Sequence, residues 1–239
     1  MKIENSRNIN LKKQEKRIKD KKKIIGVVNY LLETRYVYNF DWLGIPSIQF
    51  PSDLLVLQEL LFDYKPDVII ETGVAHGGTL IFYSSIMSLI KKNYQVYGID
   101  IKIKKNNRKK ITSHPFSKKI TLIEKNSTDE LIPKIFSNKI KNKKVLVLLD
   151  SYHSHEHVLK EIDLYSKFIK KGGYIVVMDT TTEFVKNKFI NKNRNFGKGN
   201  SPYTAVKSFI KKNKDFKICR KYENKAFITS CFDGFLIKK

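Results

Sequence analysis

Five short runs rich in Val and Ile constrain the fold of this chain more than any other feature: "DVIIE" (67–71), "QVYGID" (95–100), "ITLIE" (120–124), "VLVLLD" (145–150) and "YIVVMD" (174–179). Each is nearly continuous in apolar residues, and helical patterns such as Thr79 to Lys91 and Glu156 to Lys170 lie between most of them. Strands that are apolar on both faces and separated by helices require a parallel sheet covered on each side, so the expected class is doubly wound α/β. No internal repeat is visible. After the fifth run, "NKNRNFGKGN" has the composition of a mobile loop, and "PYTAVKSFIKKN" predicts a helix with Pro202 in its first turn. The segments "FKICRKY", "KAFITSCF" and "GFLIKK" predict closing strands joined by tight turns, an antiparallel end to the sheet.

Ahead of the sheet the chain is different in kind. Residues 1–35 form a basic lead-in, and residues 36–65 form a cap segment within a domain spanning 36–239. The cap holds "YVYNFDWLGIPSIQFPSD", with a tight turn from Gly44 to Pro46, and an amphipathic helix, "DLLVLQELLFDY", that Asp53 or Ser52 is placed to cap.

Composition narrows the function classes. With 239 residues, 41% of them apolar and 12% aromatic, the chain can bury a full core. No apolar run approaches the ~20 residues of a membrane span, and the basic N-terminus lacks the apolar stretch of a signal peptide, so a cytoplasmic protein is expected. Two cysteines, Cys219 and Cys231, cannot form a disulfide framework or a four-cysteine zinc site. The formal charge of +24 would suit a nucleic-acid partner. The lysines, however, are spread along the whole chain without a basic helix interleaved with exposed aromatics, which favours a lysine-rich surface on an enzyme. The denser "KKQEKRIKDKKK" predicts a solvated helical lead-in able to touch an anionic surface.

Two loops carry the chemistry. In "ETGVAHGGT", Glu71 ends the first strand and Gly73, Gly77 and Gly78 precede a helix. Nicotinamide-binding loops use the tighter GxGxxG spacing around a pyrophosphate. An acid beside a glycine loop suits a zwitterion instead: the carboxylate attracts an ammonium, and backbone N–H groups at the helix N-terminus receive a carboxylate. The methionine end of S-adenosylmethionine has both groups. Asp100, at the end of the second strand, stands where an acid accepts hydrogen bonds from ribose hydroxyls. A tight turn followed by a solvated strand-end acid would leave the same residues.

The second loop, "LLDSYHSHEH", holds three of the five histidines. His155 and Glu156 are followed by His157, Val158 and Leu159, so the second ligand of a HExxH zinc site is missing. A three-histidine metal site, or an iron site of two histidines and a carboxylate, has the residue types but not the usual spacing or context. Asp150 and Asp179 end adjacent strands, whose spacing is ~4.8 Å, and two carboxylates there form a hard-oxygen site suited to magnesium. Capping of the next helix by Asp150 and His153 is the alternative.

The segments "NFDWLGIPSIQFPSDLLVLQELL", "IIETGVAHGGTLIFYSSI", "VYGIDIKIKKNNRKKI", "HPFSKKITLIEKNSTD", "VLVLLDSYHSHEHVLKE", "GGYIVVMDTT" and "GNSPYTAVKSFIKKNKDF", in this order, resemble the cephalosporin hydroxylase and rhamnosyl O-methyltransferase family over roughly residues 36 to 237. The resemblance implies a Rossmann-like class I methyltransferase sheet with an N-terminal cap, S-adenosylmethionine as donor, a divalent metal, usually magnesium, and methylation of a hydroxyl on a saccharide, glycolipid or secondary metabolite. It implies an oligomer as well. It makes Asp150 and Asp179 metal ligands and His153 the general base. The candidate cofactor set is Glu71, Gly73, Gly77, Gly78, Thr79, Asp100, Ser127 and Asp150. Where the family usually has Glu then Asp after the fifth strand, this chain has Met178 then Asp179. A thioether is a poor magnesium ligand, so Thr180, Thr181, Glu183 or water must complete the shell, or the metal is dispensable. Tyr38, Trp42 and Gln49 are candidate acceptor contacts, and the loop from Lys188 to Asn200, with Arg194, is a candidate cover. Two other classes, an RNA-binding or RNA-modifying protein and an iron-dependent oxygenase, account for fewer of these residues.

Overall fold

A computed structural model describes residues 2–18, 21–186 and 195–239. In chain order the elements are α1 (Lys2–Ile18), α2 (Lys21–Glu33), β1 (Asp41–Trp42), β2 (Ile45–Pro46), α3 (Pro51–Tyr64), β3 (Val68–Thr72), α4 (Gly78–Ile90), β4 (Gln95–Asp100), α5 (Lys105–Thr112), β5 (Ile120–Glu124), α6 (Ile132–Phe136), β6 (Val145–Leu149), α7 (His155–Tyr165), β7 (Tyr174–Val177), α8 (Pro202–Lys212), β8 (Phe216–Ile218), α9 (Arg220–Ala226) and β9 (Phe235–Lys238). Strands β3 to β9 form one sheet in the order β5-β4-β3-β6-β7-β9-β8. The first five strands are parallel, and β9 runs antiparallel to both β7 and β8. Because the chain steps outward from β3 to β5 and then returns to β6 beside β3, the strand order reverses at β3, and the crevice outside the carboxyl ends there is where such sheets bind ligands.

The continuous apolar strands are explained by two packed faces. Ile69, Leu146, Leu148 and Val176 meet α3 and α4 on one side, while Ile70, Val147, Leu149 and Val177 meet α7 and α8 on the other, the alternation that a two-residue strand period dictates. A third apolar cluster joins Ile24 and Val28 of α2 to Val37, Phe50, Val185 and Phe232. The division between lead-in and cap at residue 35 therefore does not mark a packing boundary, because α2 is part of the core. Among the described residues, no helix is long and apolar enough to cross a membrane.

Two local expectations are corrected. The N-cap of α3 is Phe50, with Pro51 opening the helix, and neither Ser52 nor Asp53 caps it. Buried Asp53 instead accepts hydrogen bonds from Thr229 and Ser230. That also explains why "KAFITSCF" is not a strand: its polar groups bind Asp53, Ser52 donates to the Ile228 carbonyl, and Phe227 takes a positive φ of 60°. In "FKICRKY" only Phe216–Ile218 is strand; Arg220 onward is helix α9.

Candidate active site

The glycine loop leaves β3 and passes close beneath β6. A Cβ on Gly73, where φ is +86°, would lie 2.0 Å from the Asp150 carbonyl oxygen, and one on Gly77 (φ +91°) would lie 2.3 Å from Ile111 Cδ1. Only glycine meets both the left-handed backbone and the close approach. Helix α4 starts at Gly78 with no side-chain cap, so its first N–H groups are open to a ligand. Together with Asp100, Ser127 and Asp150, the residues from Gly73 to Thr79 line a cleft of about 650 Å³ that ends at His153 and Asp179.

Two acids at this end of the sheet have structural tasks. The Asp100 carboxylate accepts from Val74 N at 2.9 Å and from Lys102 N at 3.0 Å while still facing the cleft. Glu71, expected to meet a ligand ammonium directly, lies under the loop, 1% exposed. Its oxygens accept from Thr79 Oγ1 at 2.8 Å and from the Tyr83 hydroxyl at 2.9 Å, and burial pushes its carboxyl up to about 8. Glu71 anchors α4 to β3 and does not line the cleft.

At the far end, strand register explains the metal-like cluster. Leu149 of β6 pairs with Val177 of β7, which brings the following Asp150 and Asp179 together. Potential ligand atoms of Asp150, His153 and Asp179 lie within 4.8 Å of one another, and His153 Nε2 is 3.3 Å from Asp179 Oδ2. Burial, then the Asp179 charge, raises the Asp150 carboxyl well above the usual range. Gln49 Nε2 donates to Asp150 Oδ2 at 2.9 Å. Asp179 has φ +51°, a conformation tolerated by Asp but sparsely populated, as is common where a side chain must be aimed.

The structure separates other candidates from this cluster. Thr180 is fully buried and donates to the Ser230 carbonyl, so it is not a ligand as placed. Thr181 donates to the same carbonyl, and Glu183 accepts from Gly199 N and Ser201. Met178 is core, its sulfur 3.3 Å from Cys231 Sγ. Trp42 packs edge to face on Phe82, and its indole donates to Ser85; it is half-buried against the core and is not a wall of the cleft. Tyr38 and Gln49 do line it. His155 pairs with Thr204 at 2.8 Å, whereas His157 reaches the cleft, with Nε2 2.9 Å from Ser151 Oγ and 3.1 Å from Ser127 Oγ. One imidazole with two carboxylates is the reverse of the ratio used by the iron oxygenase triad. Of the candidate cover from Lys188 to Asn200, residues 188–194 lie outside the described residues; in the described part, Phe196 meets the His153 ring edge to face at 5.3 Å.

Sequence reasoning passed over His76, Asn126, Ser151 and Tyr152, which also line the cleft. Position alone could have found Asn126 and Ser151, since each falls within two residues of a strand's carboxyl end.

Comparison with known proteins places the chain in a family and a fold. Residues 34–239 match the family described as Rhamnosyl O-methyltransferase/CmcI. The rhamnosyl O-methyltransferases of Mycobacterium bovis BCG and Mycobacterium leprae are each 30% identical, covering 85% of this chain and 82% and 86% of their own lengths. Among solved structures, CmcI with magnesium and S-adenosylmethionine aligns with a TM-score of 0.58 at 17% identity, covering 84% of this chain and 77% of CmcI. A Bacillus cereus O-methyltransferase in complex with S-adenosylhomocysteine aligns at 0.52 and 14% identity, covering 91% of each chain. The chain belongs to the rhamnosyl O-methyltransferase/CmcI family, and its fold is that of the class I methyltransferases.

Proposed function

We propose that this S-adenosylmethionine-dependent O-methyltransferase methylates a hydroxyl of a saccharide, glycolipid or related secondary metabolite, with His153 as general base and magnesium held by Asp150 and Asp179. The observation that carries the reading is the Asp150, His153 and Asp179 cluster at the end of a cleft that opens at the glycine loop. A saccharide acceptor is supported by the names of the mycobacterial relatives.

The residues present fit both groups. Gly73 lets backbone line the cleft where any side chain would collide with Asp150, the uncapped start of α4 offers N–H groups to a carboxylate, and Asp100 and Ser127 add hydrogen-bonding partners. Two adjacent carboxylates, one with its carboxyl pushed up by burial and then by the other's charge, suit a cation, and magnesium accepts two such oxygens with water filling the shell. When bound, S-adenosylmethionine supplies an electrophilic methyl group, and a divalent ion supplies Lewis acidity toward the acceptor oxygen.

The chain's own work is positioning and proton transfer. Gln49 fixes one oxygen of Asp150. Asp179 orients the His153 ring through Nε2 and stabilises the imidazolium once that ring has taken the hydroxyl proton. Helix α4, anchored through Glu71, Thr79 and Tyr83, holds the donor end of the cleft rigid, and alignment of donor with acceptor supplies much of the rate. Calorimetry with S-adenosylmethionine, with and without magnesium, paired with methyl transfer to glycosides, tests the reading. The expected result is that His153→Ala binds the donor like wild type and loses transfer about 10²–10⁴-fold. Wild-type transfer by that variant would remove the base assignment, and failure of the wild type to bind donor would remove the reading altogether.

A further inference from the structure

The match to the family begins at residue 34, so α1 and α2 stand upstream of the segment common to the family. Eight of the twelve residues from Lys12 to Lys23 are Lys or Arg, against 47 of 239 in the whole chain, so this segment is more than a sample of a basic composition. Lys12, Lys13 and Lys16 on α1 and Lys22 and Lys23 on α2 are exposed.

The cations share their surface with apolar side chains. Helix α2 is two-faced: Ile24 and Val28 are buried against Val37, Phe50, Val185 and Phe232, while Lys23, Val27 and Tyr30, spaced four and three apart, lie on the opposite, exposed side. Val27 is 46% and Tyr30 67% exposed, and Ile3 and Ile9 of α1 are exposed as well. After α2 the Arg35 guanidinium lies 4.7 Å over the ring of Tyr38, a residue that lines the cleft. Helix α2 therefore leads from the basic segment to the border of the site. A phosphate backbone has a use for the lysines but none for exposed aliphatic side chains. A bilayer with anionic headgroups takes both, since lysines meet the headgroup phosphates while Tyr and aliphatic side chains enter the boundary below them.

We infer that α1 and α2 form a surface that docks this protein on an anionic lipid bilayer, with Lys12, Lys13, Lys16, Lys22 and Lys23 at the headgroups and Val27 and Tyr30 at their inner boundary. The docking is peripheral and reversible, and it does not depend on which hydroxyl is methylated.

Co-sedimentation of the full chain with phosphatidylcholine vesicles, with and without phosphatidylserine, tests it. Wild type is expected to bind the vesicles that contain phosphatidylserine, and to lose that binding as salt rises. Changing Lys12, Lys13, Lys16 and Lys22 together to Gln keeps helix propensity and should lower the partition at least about tenfold. Val27→Ser with Tyr30→Ser should lower it too, with its salt dependence retained. Changing Lys160, Lys167, Lys211 and Lys212 to Gln, all exposed on or just after α7 and on α8, removes the same net charge elsewhere and should leave the partition near that of wild type. All three variants should unfold in denaturant as wild type does, because every changed side chain is exposed. Equal loss in the two lysine variants would assign the binding to overall charge and overturn the surface. So would equal binding to both kinds of vesicle, no binding to either, or a mixed-sequence RNA oligonucleotide that displaces the protein from vesicles through the same α1 and α2 lysines. None of these readouts involves methyl transfer, so the surface stands or falls apart from the proposed function.

Discussion

Replacing Glu71 by Gln tests how the glycine loop is held. The carboxyl is buried and accepts from Thr79 and Tyr83, and burial moves it from 4.5 to about 8. Between those values the folded state keeps a proton that the unfolded chain releases. The stabilisation linked to that proton is full below pH 4.5, falls as pH rises, and is gone above about pH 8. At ~1.4 kcal/mol per decade, the interval sets a ceiling of about 5 kcal/mol, of which about 3 kcal/mol is lost between pH 5 and pH 7. Glutamine keeps the shape and can still bond both hydroxyls, but it does not titrate. Urea unfolding of both proteins across pH 5 to 9 should therefore show the variant gaining on wild type by about 3 kcal/mol from pH 5 to 7 and levelling near pH 8. Parallel profiles, or a wild type that gains on the variant with rising pH, would show that Glu71 is ionised in the fold and would refute the reasoning.

Three other outcomes are expected. Gly73→Ala places a methyl group 2.0 Å from the Asp150 carbonyl in a left-handed conformation; binding calorimetry should show S-adenosylmethionine affinity lowered at least tenfold, and unchanged affinity would mean the loop is not the donor site. Trp42→Phe removes the bond to Ser85 and part of the Phe82 contact, so it should cost about 1–3 kcal/mol of stability in denaturant unfolding while leaving acceptor KM unchanged; a KM effect without a stability effect would restore Trp42 as an acceptor contact. Ser230→Ala deprives Asp53 of a hydroxyl donor that holds down a carboxyl which burial has already raised to about 6. It should destabilise by about 1–3 kcal/mol, more at pH 8 than at pH 5, and a cost independent of pH would mean that Asp53 does not change its charge across that range.

The sheet was legible because its rule is local: strands covered on both faces are largely apolar, fully so in β6, and even edge strand β5, with Thr121 and Glu124 exposed, keeps a run of Ile and Leu; β4 and β5 have the bounds their runs predicted, while β3, β6 and β7 differ at their ends by one or two residues. Legibility ended where backbone and side chains compete for the same hydrogen bonds. "KAFITSCF" has the composition of a strand, yet Thr229 and Ser230 turn to Asp53, about 175 positions earlier in the chain; no periodicity reports a partner at that distance. The same limit separates two acids that look alike in sequence. Asp150 and Glu71 each stand at the end of a central strand before a loop. Asp150 emerges at the metal-like cluster because Asp179 and Gln49 converge on it from two other places in the chain and His153 from the loop that follows it. Glu71 is instead covered by its own following helix, through hydroxyls eight and twelve residues on. That second arrangement could have been anticipated: Thr79 and Tyr83 are four apart and share one face of α4, and a threonine and a tyrosine set a turn apart directly after a strand-end acid are placed to satisfy it. The acid that lines the cleft is then the one whose following segment offers no such pair, a criterion that selects Asp150, followed by "SYHSHEH", over Glu71.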